Sequence, residues 1–423
     1  MHHRSIRARL TVLALALPLV GPGTFAFGAG TAPASAGAMA QAVSAQEVSP
    51  QAVAEYRRKL KDYLEARSAF EEVASAYWNA IAEKRRTRNA KRRAHQAVML
   101  DDYVLTQPPV YAGPKRPVNP LPGPEPEEPH RERKYIPVVT DLVKAAADYF
   151  QWTPDRPASE IDFKRAYARF AENTGLTREQ AVRVYAFETG GNGNHASQSG
   201  FHGSRAISTA IGYNQLLTTN TVELLAEQGP EFIRLLTDRA ASLSGPARKA
   251  MDHKVAVLKR MVALARSVPD DWSQHEKIGD TPQGWALHAM VLDIDVGPML
   301  QTHKLLTSVI FARAKGYIRP LSAAELEMMN LTGDGTGLDM VTMPQAMREQ
   351  VPTSNFFQRA GYERNPVAIR NNTVAKLLAI TDSRMDANSN QPGARELAAA
   401  FQKVAQPCGP SCPATASARS AVR

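Results

Sequence analysis

Cysteine is nearly absent, with two in 423 residues, which excludes both a disulfide framework and a cysteine-built zinc module. No stretch of about 18 consecutive apolar residues occurs, so no membrane-spanning helix is expected. The chain lacks the Gly-x-x-x-x-Gly-Lys-Ser/Thr phosphate loop, the His-Glu-x-x-His zinc motif and the Gly-x-Ser-x-Gly nucleophile elbow. It also lacks a Gly-X-Y period. What remains is 43% hydrophobic and 22% charged, a balance that buries a core and excludes a wholly disordered chain. At roughly 150 residues per domain, the length suggests two or three domains. The net charge is +10.

The start of the chain reads as a targeting segment. Arg4, Arg7 and Arg9 precede an apolar run from Leu10 to Val20, too short to span a bilayer and suited to a signal-peptide core. Ala34-Ser35-Ala36, Ala36-Gly37-Ala38 and Ala38-Met39-Ala40 each fit an A-x-A cleavage pattern. Residues 1–40 are therefore expected to be a signal peptide and leader, the alternative being a plain Ala/Gly-rich leader. Export to a bacterial periplasm follows. A basic exported protein meets anionic polymers and membrane surfaces, and no nucleic-acid partner is expected.

Residues 48–105 read as one long helix. Tyr56, Leu60, Tyr63, Phe70, Val73, Tyr77 and Ile81 recur at steps that make an apolar stripe, and neither Gly nor Pro interrupts Gln51–Gln107. Its end is basic: Lys84, Arg85, Arg86, Arg88, Lys91, Arg92 and Arg93. This face is either solvated and packed on its own domain, or a coiled-coil or docking element for an envelope protein, the wall or a membrane surface. Residues 106–137 hold ten prolines from Pro108 to Pro137, which forbid helix and predict an extended polyproline spacer. Residues 138–405 read as a mainly helical domain, with helices expected over Asp141–Phe150, Glu160–Asn173, from Thr177, Thr221–Glu227, Glu231–Leu243, Arg248–Arg266, Leu287–Leu292, Leu300–Lys315 and Ala323–Met329. The tail 406–423 is expected to be unfolded, with Cys408 and Cys412 available as a small disulfide loop.

The helix opened by Thr177 ends Tyr185-Ala186-Phe187-Glu188 and stops at Thr189-Gly190-Gly191. Ala181, Val184 and Glu188 share one stripe, so the Glu188 carboxyl is carried inward toward the negative end of the helix dipole. Desolvation and dipole both favour its protonated form, which is what a general acid needs. Taken alone, a carboxylate beside a Gly-rich cap is equally a surface residue. A second segment, Gly212-Tyr213-Asn214-Gln215-Leu216-Leu217, sets an amide side chain among apolar residues, where burial demands a partner.

Together these stretches resemble the soluble lytic transglycosylases of the lysozyme-like superfamily. Glu188-Thr189-Gly190 is similar to that family's Glu-Ser-Gly at a helix end, and Gly212-Tyr213-Asn214-Gln215 to its Gly-Leu-Met-Gln. Met329-Asn330-Leu331-Thr332-Gly333 is the best match to Ala-Tyr-Asn-Ala-Gly, keeping the Asn and Gly but not the Tyr; Tyr362 is a candidate for the missing hydroxyl. The resemblance implies a lysozyme-like domain that cleaves the β-1,4 bond between N-acetylmuramic acid and N-acetylglucosamine in peptidoglycan. The muramic 6-hydroxyl attacks, a 1,6-anhydro ring forms, and one carboxyl group, Glu188, acts as acid and then base. Gln215 and Asn330 are implied to hold N-acetyl groups, Thr189 to orient the carboxyl and Tyr213 to line the groove, with Tyr213 equally readable as core. No cofactor or metal is implied.

One feature of the sequence supports the single carboxylate independently. Between Thr189 and Val222 there is no Asp or Glu, whereas ordinary glycosidases need two carboxyl groups roughly 5 to 10 Å apart. Asp293, Asp295 and Asp334 stay open as distant partners. His195 and His202 flank the loop without further ligands nearby, and read as loop histidines. The alternatives are a peptidoglycan-binding or scaffold protein without turnover, and a lysozyme-type hydrolase using water.

Overall fold

A computed structural model describes residues 49–120, 134–202 and 205–405. The leader, the segment 121–133, and the tail with Cys408 and Cys412 lie outside the described residues. The chain divides into two compact units: residues 136–349 with 356–405, and residues 49–120 with 134–135 and 350–355.

In the smaller unit, α1 spans Pro50–Arg93. Ser49 caps its start, accepting from the Ala52 N–H at 3.2 Å. The expected helix over 48–105 therefore ends twelve residues early, although no Gly or Pro stops it. Tertiary pairing ends it. His95 takes φ 54°, and the following residues double back into a 3-10 turn at Leu100–Asp102. Arg88 Nη1 donates to the Asp102 carbonyl at 2.9 Å, and Lys91 Nζ lies 2.6 and 2.7 Å from the Asp102 carboxylate. Arg88 is buried, with its guanidinium 4.3 Å from the centre of the Tyr103 ring. The basic end is thus partly an internal clamp, and Arg86 and Arg93 remain exposed. The start of the proline-rich stretch is not a free spacer either. Tyr111 meets Tyr63 and Phe70 edge-on, at 6.3 and 5.4 Å, and Arg67 lies over both Phe70 and Tyr111. Proline forbids helix here but does not prevent docking on an aromatic stripe.

The larger unit is mainly helical, as expected. Its helices are α2 (Val139–Phe150), α3 (Glu160–Thr174), α4 (Arg178–Thr189), α5 (Thr218–Ala241), α6 (Gly245–Ala265), α7 (Trp272–Gly279), α8 (Pro282–His288) and α9 (Val296–Ala314). α10 (Ala323–Thr332), α11 (Asp334–Thr342), α12 (Gln345–Arg348), α13 (Arg359–Glu363), α14 (Pro366–Arg370), α15 (Val374–Ser389) and α16 (Pro392–Ala405) follow. Among the described residues the only strands form one hairpin, β1 (Phe201–His202) antiparallel to β2 (Arg205–Ala206). Two apolar clusters build the unit. One joins α2, α5, α6, α8 and the first turns of α9; the other joins α3, α4, the second half of α9, α10 and α16. α9 belongs to both, with Leu300 in the first and Leu305 in the second, and Lys304 lies at the seam between them.

Candidate functional site

Helix α4 starts as its sequence predicts. Thr177 Oγ1 accepts from the Gln180 N–H and Gln180 Oε1 accepts from the Thr177 N–H, both at 3.1 Å. Gln180 Nε2 also donates to the Leu321 carbonyl at 2.8 Å, which ties this start to the loop before α10. Ala181, Val184 and Glu188 all face inward, and Glu188 is 3% exposed. Beyond Thr189 the backbone turns left-handed at Gly190 (φ 64°) and Gly191 (φ 78°). A Cβ on Gly191 would stand 2.3 Å from the Asn388 carbonyl, so a side chain there would break the close approach to α15.

The Glu188 carboxyl finds Asn330, 142 residues away. Asn330 Nδ2 donates to Glu188 Oε1 at 2.9 Å, and the same nitrogen lies 3.3 Å from Glu327 Oε2. Two fully enclosed carboxyl groups therefore stand on either side of one amide. Glu188 Oε2, Glu327 Oε1 and Asn330 Oδ1 are buried and have no hydrogen-bond partner among the described residues. Burial raises the Glu188 pKa to about 7, against the opposing pull of the Lys304 cation and the Asn330 N–H. Glu327 is pushed well above the usual carboxylate range, first by burial and then by the charge of Glu188. Lys304 is only partly exposed, and burial holds its pKa below the ordinary lysine value even though Glu223, Asp334, Glu188 and Glu327 all favour its charge.

Beside this cluster lies a cavity of about 30 Å³, lined by Asn220, Glu223 and Leu224 of α5, Lys304, Thr307 and Ser308 of α9, Met329 and Asn330 of α10, and Asp334 of α11. Ser308 Oγ donates to Asp334 Oδ1 at 2.5 Å. Asn330 is the residue common to the cavity and the carboxyl pair. The space is partly open to solvent, with room between its lining side chains for a water-sized group.

Of the residues expected at the site, Asn330 stands against Glu188, but its amide nitrogen is taken by carboxylates. The others have different tasks. Thr189 Oγ1 donates to the Tyr185 carbonyl one turn back at 2.7 Å, the usual bond of a helical threonine, and so does not orient the Glu188 carboxyl. Tyr213 is core. It is fully buried, its ring is edge-on to Phe163, Tyr167 and Tyr185 at 5.2, 5.4 and 4.8 Å, and its hydroxyl donates to Glu160 Oε1 at 2.5 Å. Gln215 turns back on its own loop at φ 45°, donating from Nε2 to the Gly212 and Ser197 carbonyls at 2.6 and 3.2 Å. Tyr362 is buried with its ring against Phe357.

The Gly212–Gln215 loop is fastened to α9. Asn214 N donates to Gln301 Oε1 at 2.8 Å, Asn214 Nδ2 donates to the Gln301 carbonyl at 2.7 Å, and Gln301 Nε2 donates to the Ile211 carbonyl at 3.2 Å. Gly212 has φ 83°, and a Cβ there would sit 2.0 Å from Gln301 Nε2. This segment positions α9, and through it Lys304.

Glu327, Lys304 and Glu223 were not singled out by sequence reasoning. In the structure all ten residues of α10 are buried, and Glu327 lies three before Asn330, on the same face. Among the distant acids, Asp334 lines the cavity, whereas Asp293 and Asp295 are bound by Lys254 at 2.9 and 2.5 Å. His195 Nδ1 lies 2.7 Å from Glu160 Oε2, an anchor for the loop. Among the described residues no three His, Cys, Asp or Glu side chains are grouped to hold a metal ion. No family model, no curated protein and no solved structure matches this chain.

Proposed function

We propose that the protein is an exported, lysozyme-like lytic transglycosylase acting on peptidoglycan glycan strands in the periplasm, with Glu188 as its only acid/base. The observation that carries this reading is the Glu188–Asn330 hydrogen bond inside a buried site, which unites the first and third motif segments. A carboxyl group that titrates near pH 7 is matched to giving and then taking a proton at neutral pH. In the first half of the reaction the Glu188 proton passes to the glycosidic oxygen as the C1–O bond breaks. The Asn330 N–H and the Lys304 cation stabilise the carboxylate that is left. In the second half that carboxylate takes the proton of the muramic 6-hydroxyl as its oxygen bonds to C1. The anhydro ring closes, the acid is restored and no water is consumed. Glu327 does not supply the second carboxylate of an ordinary glycosidase, since it stands beside Glu188 on the same amide and not across a sugar from it. The α1 unit, with the exposed part of its basic end, would tether the enzyme at the wall, a membrane surface or an envelope partner.

A non-catalytic peptidoglycan-binding module is the second reading. It is favoured by the engagement of Thr189, Tyr213 and Gln215 in internal bonds. Incubating the full chain with peptidoglycan and analysing soluble products by mass spectrometry separates the two. Anhydro-muropeptides from the wild type are expected, with the rate falling about 10²–10⁴-fold in Glu188→Gln. Reducing muramic ends would replace the transglycosylase by a hydrolase. Retention on insoluble wall without products would replace it by the binding module.

A further inference from the structure

The buried pair contains more carboxyl groups than one acid/base requires. Glu327 Oε2 shares the Asn330 amide with Glu188, its Oε1 has no partner among the described residues, and its side chain is fully enclosed. Neighbouring carboxylates in a dry site resist double ionisation, because the second negative charge has neither water nor distance to weaken the first. Lys304 on α9 is the cation acting on both members of the pair, and Glu223 on α5 and Asp334 on α11 act in turn on Lys304. Two acids besides the pair thus draw on that one cation. Asp334 already accepts from Ser308.

We propose that Glu327 is a positioning residue for the proton of Glu188: the two carboxyl groups, joined through the Asn330 amide, retain one proton between them, and Lys304 admits only a single negative charge. This rests on the reading of Glu188 as the acid. Its consequence is that the acid form survives to a higher pH than either group alone would allow, because the last proton leaves only when the second ionisation is forced.

The pair can be tested without turnover. In the full chain labelled with ¹³C at the glutamate carboxyls, the two signals are assigned by their disappearance in Glu188→Gln and Glu327→Gln and followed through pH. Two coupled steps, separated by more than about one pH unit, are expected in the wild type. In Glu188→Gln the Glu327 step should move down by about a unit or more, since the neighbouring charge is gone. A Glu327 step at the same pH in both proteins overturns the proposal. The kinetic arm follows the pH profile of kcat/KM for anhydro-product formation. Glu327→Gln, which keeps the shape of the protonated acid, should bring the alkaline limb down by about one pH unit with little change in KM, and Glu327→Asp should recover part of it. A limb that does not move in an active Glu327→Gln enzyme also overturns the proposal. If the wild type forms no anhydro product, the transglycosylase reading fails while the carboxyl titration still decides the pairing.

Discussion

Glu188 illustrates how a residue's environment sets its chemistry and its cost together. Its carboxyl is raised from 4.5 to about 7 in the folded protein, chiefly by burial. Below pH 4.5 both folded and unfolded chains hold the proton and stability is undiminished. Between 4.5 and 7 the unfolded chain ionises first, so stability is lost as pH rises. Glu188→Gln should therefore be the more stable protein at pH 8, with the advantage vanishing near pH 4.5. Urea denaturation at the two pH values measures this. An equal difference at both would mean that the carboxyl is not held out of water. At this scale the sequence was informative about Glu188, whose stripe position predicts burial. It was silent about Glu327, because reading that helix by its apolar period passes over a carboxylate that only tertiary neighbours make important. Of the two readings of Tyr213 the core one holds, and Gln215 turns back on its own loop because a resemblance of motif fixes residue type, not which way the side chain turns.

Single helices were legible where periodicity and caps agree. α3 and α4 begin at Ser159 and Thr177 as their capping residues indicate, and Gly175 and Gly190 follow their ends. α5 was misread as two helices because Pro230 sits within it. An interior proline costs about 3 kcal/mol, but the long apolar face of α5 against α6 outweighs that. The two helices approach closely there: a Cβ on Gly229 would stand 2.4 Å from Val262 Cγ2. A different tie locks α6 to the start of α9. Lys254, 3% exposed at its side chain, lies 2.8 Å from Asp155 Oδ2, 2.9 Å from Asp293 Oδ2 and 2.5 Å from Asp295 Oδ2. Asp293 Oδ1 also accepts from the backbone N–H groups of Asp295 and Val296 at 2.9 and 3.0 Å. Lys254→Met would leave Asp293 enclosed without its cation and should destabilise the larger unit by about 3–5 kcal/mol in chemical denaturation. A loss under 1 kcal/mol would mean that the aspartates find water instead.

For the whole molecule, the chain divides into two units at Tyr135–Ile136, and the smaller unit is not made of the N-terminal segment alone. Residues 350–355 return to it, a pairing that no local pattern announces. Asn355 Oδ1 accepts from the Val104 N–H at 3.0 Å and its Nδ2 donates to the Val104 carbonyl at 2.8 Å. Its own carbonyl receives Arg85 Nη2 at 3.0 Å and Arg88 Nη2 at 3.2 Å, and Ser354 Oγ lies 2.7 Å from the Tyr77 hydroxyl. Asn355→Ala should speed hydrogen exchange across residues 94–106 and the last turns of α1, with the amides of α4 unaffected. Unchanged protection at Val104 would show that the arginines alone hold the turn.

That returning strand of chain also sets an order of birth. At about 5–20 residues per second, the stretch between residues 135 and 350 takes on the order of ten seconds or more to synthesise. Throughout that interval Arg85 and Arg88 lack the carbonyl they will eventually grip. The first helix to be made is among the last parts to be finished.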